Sequence, residues 1–123
     1  MNVLDSSGWL EYFTDGPNAD FFAPVIEDSA HLLVPAICFY EVFKRLLVER
    51  GEDAAMLAMG LMSEGQEIPI HRMLSIEAAR ISRELKLAMA DSLIYATARL
   101  HNATLWTQHE HFQGLEGVRY IRR

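Results

Sequence analysis

The chain has a single cysteine, Cys38, so no disulfide within it is possible. No apolar run approaches the ~20 residues of a membrane-spanning helix, because charged or polar groups interrupt every stretch. The opening residues, Met1-Asn2-Val3-Leu4-Asp5, lack the basic start and long apolar segment of a signal peptide. Together these absences predict a cytoplasmic protein with no membrane partner. There is no glycine-rich phosphate loop, internal repeat, low-complexity tract or linker. With 123 residues the expectation is one domain over 1–123. A domain near this size buries roughly two thirds of the surface its unfolded chain would expose. The composition, 50% apolar and 23% charged, is that of a globular protein.

Positive charge is also scarce, and its placing is uneven. Residues 1–43 carry seven acids (Asp5, Glu11, Asp15, Asp20, Glu27, Asp28, Glu41) and no Lys or Arg. All eleven basic residues lie from Lys44 onward. The net charge of −6 argues against unspecific nucleic-acid binding by bulk electrostatics. A nucleic-acid ligand would have to rely on local cations such as Lys44, Arg45, Arg80, Arg83 and Lys86. The alternative is that these cations only decorate solvated helix faces.

What is present reads as short strands alternating with helices. Met1 to Leu4 is an apolar opening strand. Ser7 to Phe13 predicts a helix that stops at the turn Thr14-Asp15-Gly16-Pro17. Asn18 is placed to cap a second helix running to Ile26. His31 to Val34 predicts a strand. Ala36 to Arg50 has the spacing of an amphipathic helix, which Gly51 ends. Glu52 to Met62 predicts a further helix, and Glu67 to Ile70 a strand. Residues 72 to 86 predict a helix with Ile76, Ala79, Ile81 and Leu85 on its apolar face. Asp91 to His101 predicts a nearly all-apolar, buried helix. Thr104 to Trp106 and Val118 to Ile121 predict the last strands. Helices between nearly all strands imply an α/β fold with a small, mainly parallel sheet of about five strands. Sites in such sheets lie beyond the carboxyl ends of the strands.

Four places carry chemistry, and each has a plainer reading. Asp5 ends the first strand in Leu4-Asp5-Ser6-Ser7, where it can face a ligand crevice or cap the next helix. Glu41 stands alone in the apolar run Ile37 to Phe43. It can serve a site or pair with Lys44 or Arg45, a contact stabilising by roughly 0.2–0.5 kcal/mol. Asp91 opens the buried helix Ala90-Asp91-Ser92-Leu93-Ile94-Tyr95-Ala96-Thr97-Ala98, as a helix-dipole partner or as a metal ligand. The stretch Leu105-Trp106-Thr107-Gln108-His109-Glu110-His111 ends a strand with a His-x-His pair. Alone that spacing is a weak metal signal, and a loop with solvated histidines is the more common explanation.

The four motifs, in this order and spacing, resemble the PIN-domain family, most of all its VapC-type toxins of bacterial toxin–antitoxin pairs. Val34-Pro35 and Gly114-Leu115-Glu116-Gly117-Val118-Arg119-Tyr120-Ile121 agree with the likeness, which covers nearly the whole chain. The resemblance implies a metal-dependent endoribonuclease using Mg²⁺, or alternatively Mn²⁺, to hydrolyse RNA phosphodiester bonds. It assigns Asp5, Glu41 and Asp91 as catalytic acids and metal ligands, with Ser6 and Thr107 orienting them by hydrogen bonds. It also implies a homodimer silenced by a VapB-like antitoxin whose tail lies in an apolar groove. Met56, Met59, Met62, Leu57 and Leu61, or Trp9 and Phe13, can line that groove or fill the core.

The chemistry explains the choice of residues. Crowded carboxylates raise each other's pKa, and a divalent cation with oxygen ligands relieves the conflict. Cys38 is expected to be an inert core thiol. One departure stands out. The family's last motif usually reads Thr-x-Asp, and here the acid's place is taken by His109. His109 or Glu110 can supply a further ligand, and imidazole favours Mn²⁺, Zn²⁺ or Fe²⁺ over Mg²⁺. A second function class is therefore a PIN domain that binds RNA or antitoxin without cutting. A third is an unrelated α/β ligand-binding module in which Asp5 and Asp91 only cap helices.

Overall fold

The computed structural model describes residues 1–123. Five strands form one sheet: β1 (Asn2–Leu4), β2 (Leu32–Pro35), β3 (Gln66–Ile68), β4 (Thr104–Thr107) and β5 (Val118–Tyr120). Their order is β3-β2-β1-β4-β5 and every pairing is parallel. The sheet is thus wholly rather than mainly parallel. Six helices connect the strands: α1 (Ser6–Phe13), α2 (Ala19–Glu27), α3 (Ala36–Arg50), α4 (Glu52–Met62), α5 (Arg72–Leu85) and α6 (Met89–Leu100). No helix is long and apolar enough to cross a membrane.

The central strands explain the layering. Successive side chains of a strand point to opposite faces. Val3 and Leu4 are both wholly buried, and all of β2 is buried, so both faces of the sheet are covered. α6 supplies much of that cover. Seven successive residues, Ser92 to Ala98, are buried, as an all-round apolar helix requires. It packs on α5, α3, β4 and β2.

Several local expectations shift. β3 is an edge strand and ends at Ile68, because Pro69 has no N–H for the ladder, so Ile70 is left outside and exposed. The buried face of α5 is Leu74, Ala78 and Ile81, the i, i+4, i+7 stripe against α6. Ile76, Ala79 and Leu85 are exposed. The methionine stripe of α4 divides: Met62 is core, Met59 is half-buried, and Met56 and Leu57 are exposed. Trp9 is wholly buried and belongs to the core, and the half-buried Phe13 stacks on it with ring centres 5.8 Å apart.

Candidate metal centre

The strand order reverses at β1, which has β2 and β3 on one side and β4 and β5 on the other. Crevices open beyond the carboxyl ends of parallel strands at such a reversal. Here a cleft of about 870 Å³ lies against Asp5, Ser6, Glu41, Asp91 and His109. The acids come from three separate elements, and the parallel topology alone brings them to one end of the sheet.

Asp5 follows β1 directly and is only 3% exposed. It is also the cap of α1. Its carboxylate accepts the Gly8 N–H at 3.0 Å and the Ser7 hydroxyl at 2.8 and 2.9 Å. Capping and facing the cleft are therefore the same placement. Burial pushes its pKa up to about 6, opposed by Ser7, the Gly8 N–H, Thr107 and the nearby His109.

Glu41 does not make the local ion pair that its spacing allowed. Arg45 reaches Glu49 at 3.5 Å, and the Lys44 ammonium lies 5.7 Å from the Tyr40 ring centre. Glu41 instead accepts the Ser6 hydroxyl at 2.7 Å, a link between residues 35 apart in sequence. Beneath them Cys38 is buried, its thiol donating to the Leu4 carbonyl at 3.7 Å. Burial pushes that thiol far above its ordinary range, so it stays neutral and inert.

Asp91 does not cap α6. The helix begins at Met89, two residues before the sequence-based start, and its cap position is Ala88. The Asp91 carboxylate turns to the loop after β4, with Oδ2 at 3.4 Å from His109 Nε2 and 3.6 Å from His111 Nδ1. Ligand atoms of Asp91, His109 and His111 all lie within 4.8 Å of one another. Thr107 is buried at the end of β4, and its hydroxyl oxygen accepts the His109 N–H at 2.9 Å. It therefore fixes the start of the histidine loop besides lying near Asp5.

The other sequence candidates divide between the cleft and the outer surface. Glu110 is exposed and is not in the three-residue cluster, where His111 stands instead. The His-x-His spacing was the signal for His111. Lys44 and Arg45 line the cleft, whereas Arg80, Arg83 and Lys86 are exposed on and just after α5 and do not. Asn18 makes no side-chain cap for α2. Its amide donates to Gln108 Oε1 at 3.0 Å, while Glu11 accepts the Asn18 N–H at 2.8 Å and the Gln108 amide at 3.3 Å. This Glu11–Asn18–Gln108 network forms a polar wall of the cleft that the sequence motifs did not mark.

Sheet and cleft define a parallel α/β domain with a site of carboxylates and imidazoles at its switch point. The chain belongs to the PIN-domain family, whose sequence model matches residues 3–117. No curated protein matches it significantly in sequence. Solved structures share the fold. A chain of a toxin–antitoxin complex from Klebsiella pneumoniae superposes with a TM-score of 0.80 at 22% identity, covering 97% of this chain and 96% of its own. VapC20 of Mycobacterium tuberculosis, a sarcin–ricin-loop-cleaving toxin, gives 0.77 at 13% identity, covering 96% and 97%. The DNA-bound VapBC of Salmonella typhimurium gives 0.75 at 14% identity, covering 99% and 98%.

Proposed function

We propose that the chain is a VapC-type toxin, a divalent-metal-dependent endoribonuclease that acts in the cytoplasm as one domain over residues 1–123. The observation that carries this reading is that Asp5, Glu41 and Asp91 line one cleft beyond the strand ends. The donor set fits a divalent cation. Three carboxylates share the cleft, and the buried Asp5, held near pKa 6, becomes easier to ionise beside a positive charge. A bound Mn²⁺ or Mg²⁺ supplies an acidified water and neutralises charge at a phosphate. Asp5, Glu41 and Asp91 would hold it, Ser6 would orient Glu41, and Thr107 would hold the loop that carries His109. Lys44 and Arg45 would meet the RNA backbone.

The imidazole of His109 in place of a fourth carboxylate favours Mn²⁺ over Mg²⁺. Partners follow the same reading. Exposed Tyr40 and Val48 line the cleft, and Leu47, Met56 and Leu57 are exposed on α3 and α4. Such a surface suits the apolar tail of a VapB-like antitoxin, and a homodimer completes the expected assembly.

The test is cleavage of total cellular RNA by the purified chain, with Mg²⁺ and separately with Mn²⁺. Discrete fragments are expected with Mn²⁺, with fewer in Mg²⁺ and none with EDTA or in Glu41→Gln. Equal or better cleavage with Mg²⁺ would remove the metal preference. A folded, metal-loaded chain that leaves RNA intact would favour the second reading, a PIN domain that binds without cutting. The contacts of Asp91 with two histidines are the observation on that side.

A further inference from the structure

We propose that Asp91, His109 and His111 form a binding site for a divalent transition ion of the Zn²⁺ class, selective against Mg²⁺. Two imidazoles and one carboxylate are a donor set for Zn²⁺, whereas Mg²⁺ takes oxygen ligands and keeps its waters. The spacing agrees. Tetrahedral bonds of 2.0–2.2 Å place neighbouring ligand atoms about 3.3–3.6 Å apart. The two nitrogens lie 3.4 and 3.6 Å from Asp91 Oδ2, longer than good hydrogen bonds yet matched to a shared ion.

The histidines are held in place before any ion arrives. The His109 N–H is fixed on Thr107 at 2.9 Å, and its ring packs in a T-shape with the buried Phe112, 5.9 Å between ring centres. The Phe112 N–H donates back to the His109 carbonyl at 3.1 Å, closing the turn that carries His111. Both rings sit side by side, 4.2 Å between centres. The side chain of His111 is 58% exposed, so the outer side of the site is open to water as a fourth ligand. The site shares Asp91 with the proposed catalytic set but does not depend on RNA cleavage.

The test uses the full chain without an affinity tag. Calorimetric titration should give one Zn²⁺ per chain, bound at least about 100-fold more tightly than Mg²⁺. Co²⁺ should give the intense visible bands of four- or five-coordination. His111→Ala and His111→Gln should each weaken Zn²⁺ binding by about tenfold or more, with circular dichroism and Mg²⁺ affinity unchanged. Glu110→Gln should leave Zn²⁺ binding as it was. Unchanged Zn²⁺ affinity in both His111 variants, or the weak spectrum of octahedral Co²⁺, would overturn the proposal. These readouts hold whether or not RNA is cut, so a failed nuclease assay and a failed metal site are separate results.

Discussion

At the scale of single residues, Asp5 is held ionised against its surroundings at neutral pH. Its folded pKa of about 6 exceeds the ordinary 3.8 because burial penalises the charge. Between those values the folded chain binds a proton that the unfolded chain does not. Stability of the metal-free chain should therefore fall as pH rises through this window and past pH 6, by about 3 kcal/mol in all for a shift of this size. Asn at this position keeps an acceptor for the Gly8 N–H and carries no charge. Metal-free Asp5→Asn should thus be more stable than the parent at pH 7.5, by about 1–3 kcal/mol, and nearly equal at pH 4. Urea unfolding in EDTA at both pH values checks this, and a less stable variant at pH 7.5 would refute it. The same variant should lose RNA cleavage. Ser6 acts one step back. Ser6→Ala frees the Glu41 carboxylate, and turnover should fall about tenfold while KM changes little. Steady-state kinetics on a defined RNA separates the two; a rise in KM alone would mean that Ser6 binds substrate instead.

Among the elements, the crossing of α1 and α2 sets the position of Asp5. Gly8 sits in the first turn of α1, and a Cβ there would stand 2.9 Å from a ring carbon of Phe22 and 3.3 Å from Leu4. Phe22 is wholly buried and has no room to retreat. Gly8→Ala should therefore destabilise the chain by about 1–3 kcal/mol despite alanine's better helix propensity. Thermal unfolding measures it, and a raised Tm would show that α1 and α2 can slide apart. The elements also show which signals a sequence carries. Strands β1 and β2 and helix α3 were legible because their apolar spacing is local, and Asp5 and Glu41 stood out as lone acids beside apolar runs. The phase of α5 was not. Ile76 and Leu85 match the periodicity as well as Leu74 does, and only the packing against α6 selects the buried stripe. The turn of Asp91 toward His111, like the Glu11–Asn18–Gln108 network, joins segments remote in sequence. Such contacts depend on how the sheet orders its strands, which no short window encodes.

Over the whole molecule, charge decides how an RNA could approach. The cleft is lined by five carboxylates, Asp5, Glu11, Glu41, Glu49 and Asp91, against three cations, Lys44, Arg45 and Arg123. Without a bound divalent ion such a surface repels a phosphate backbone. RNA affinity should therefore rise when Mn²⁺ is added, less so in Glu41→Gln, which lacks one proposed ligand, and should fall with salt. If Lys44 and Arg45 each neutralise one phosphate, Lys44→Ala with Arg45→Ala should reduce the slope of log affinity against log salt by about 1.4, at roughly 0.7 per contact on a single strand. Arg80→Ala with Arg83→Ala alters only cations outside the cleft and should leave the slope within error. Fluorescence anisotropy of a labelled RNA at several salt concentrations gives both slopes. The opposite ranking would route the RNA along the exposed side of α5. In that case a partner covering α5, where Ile76 and Leu85 are exposed, would block the proposed cleavage without touching Asp5, Glu41 or Asp91.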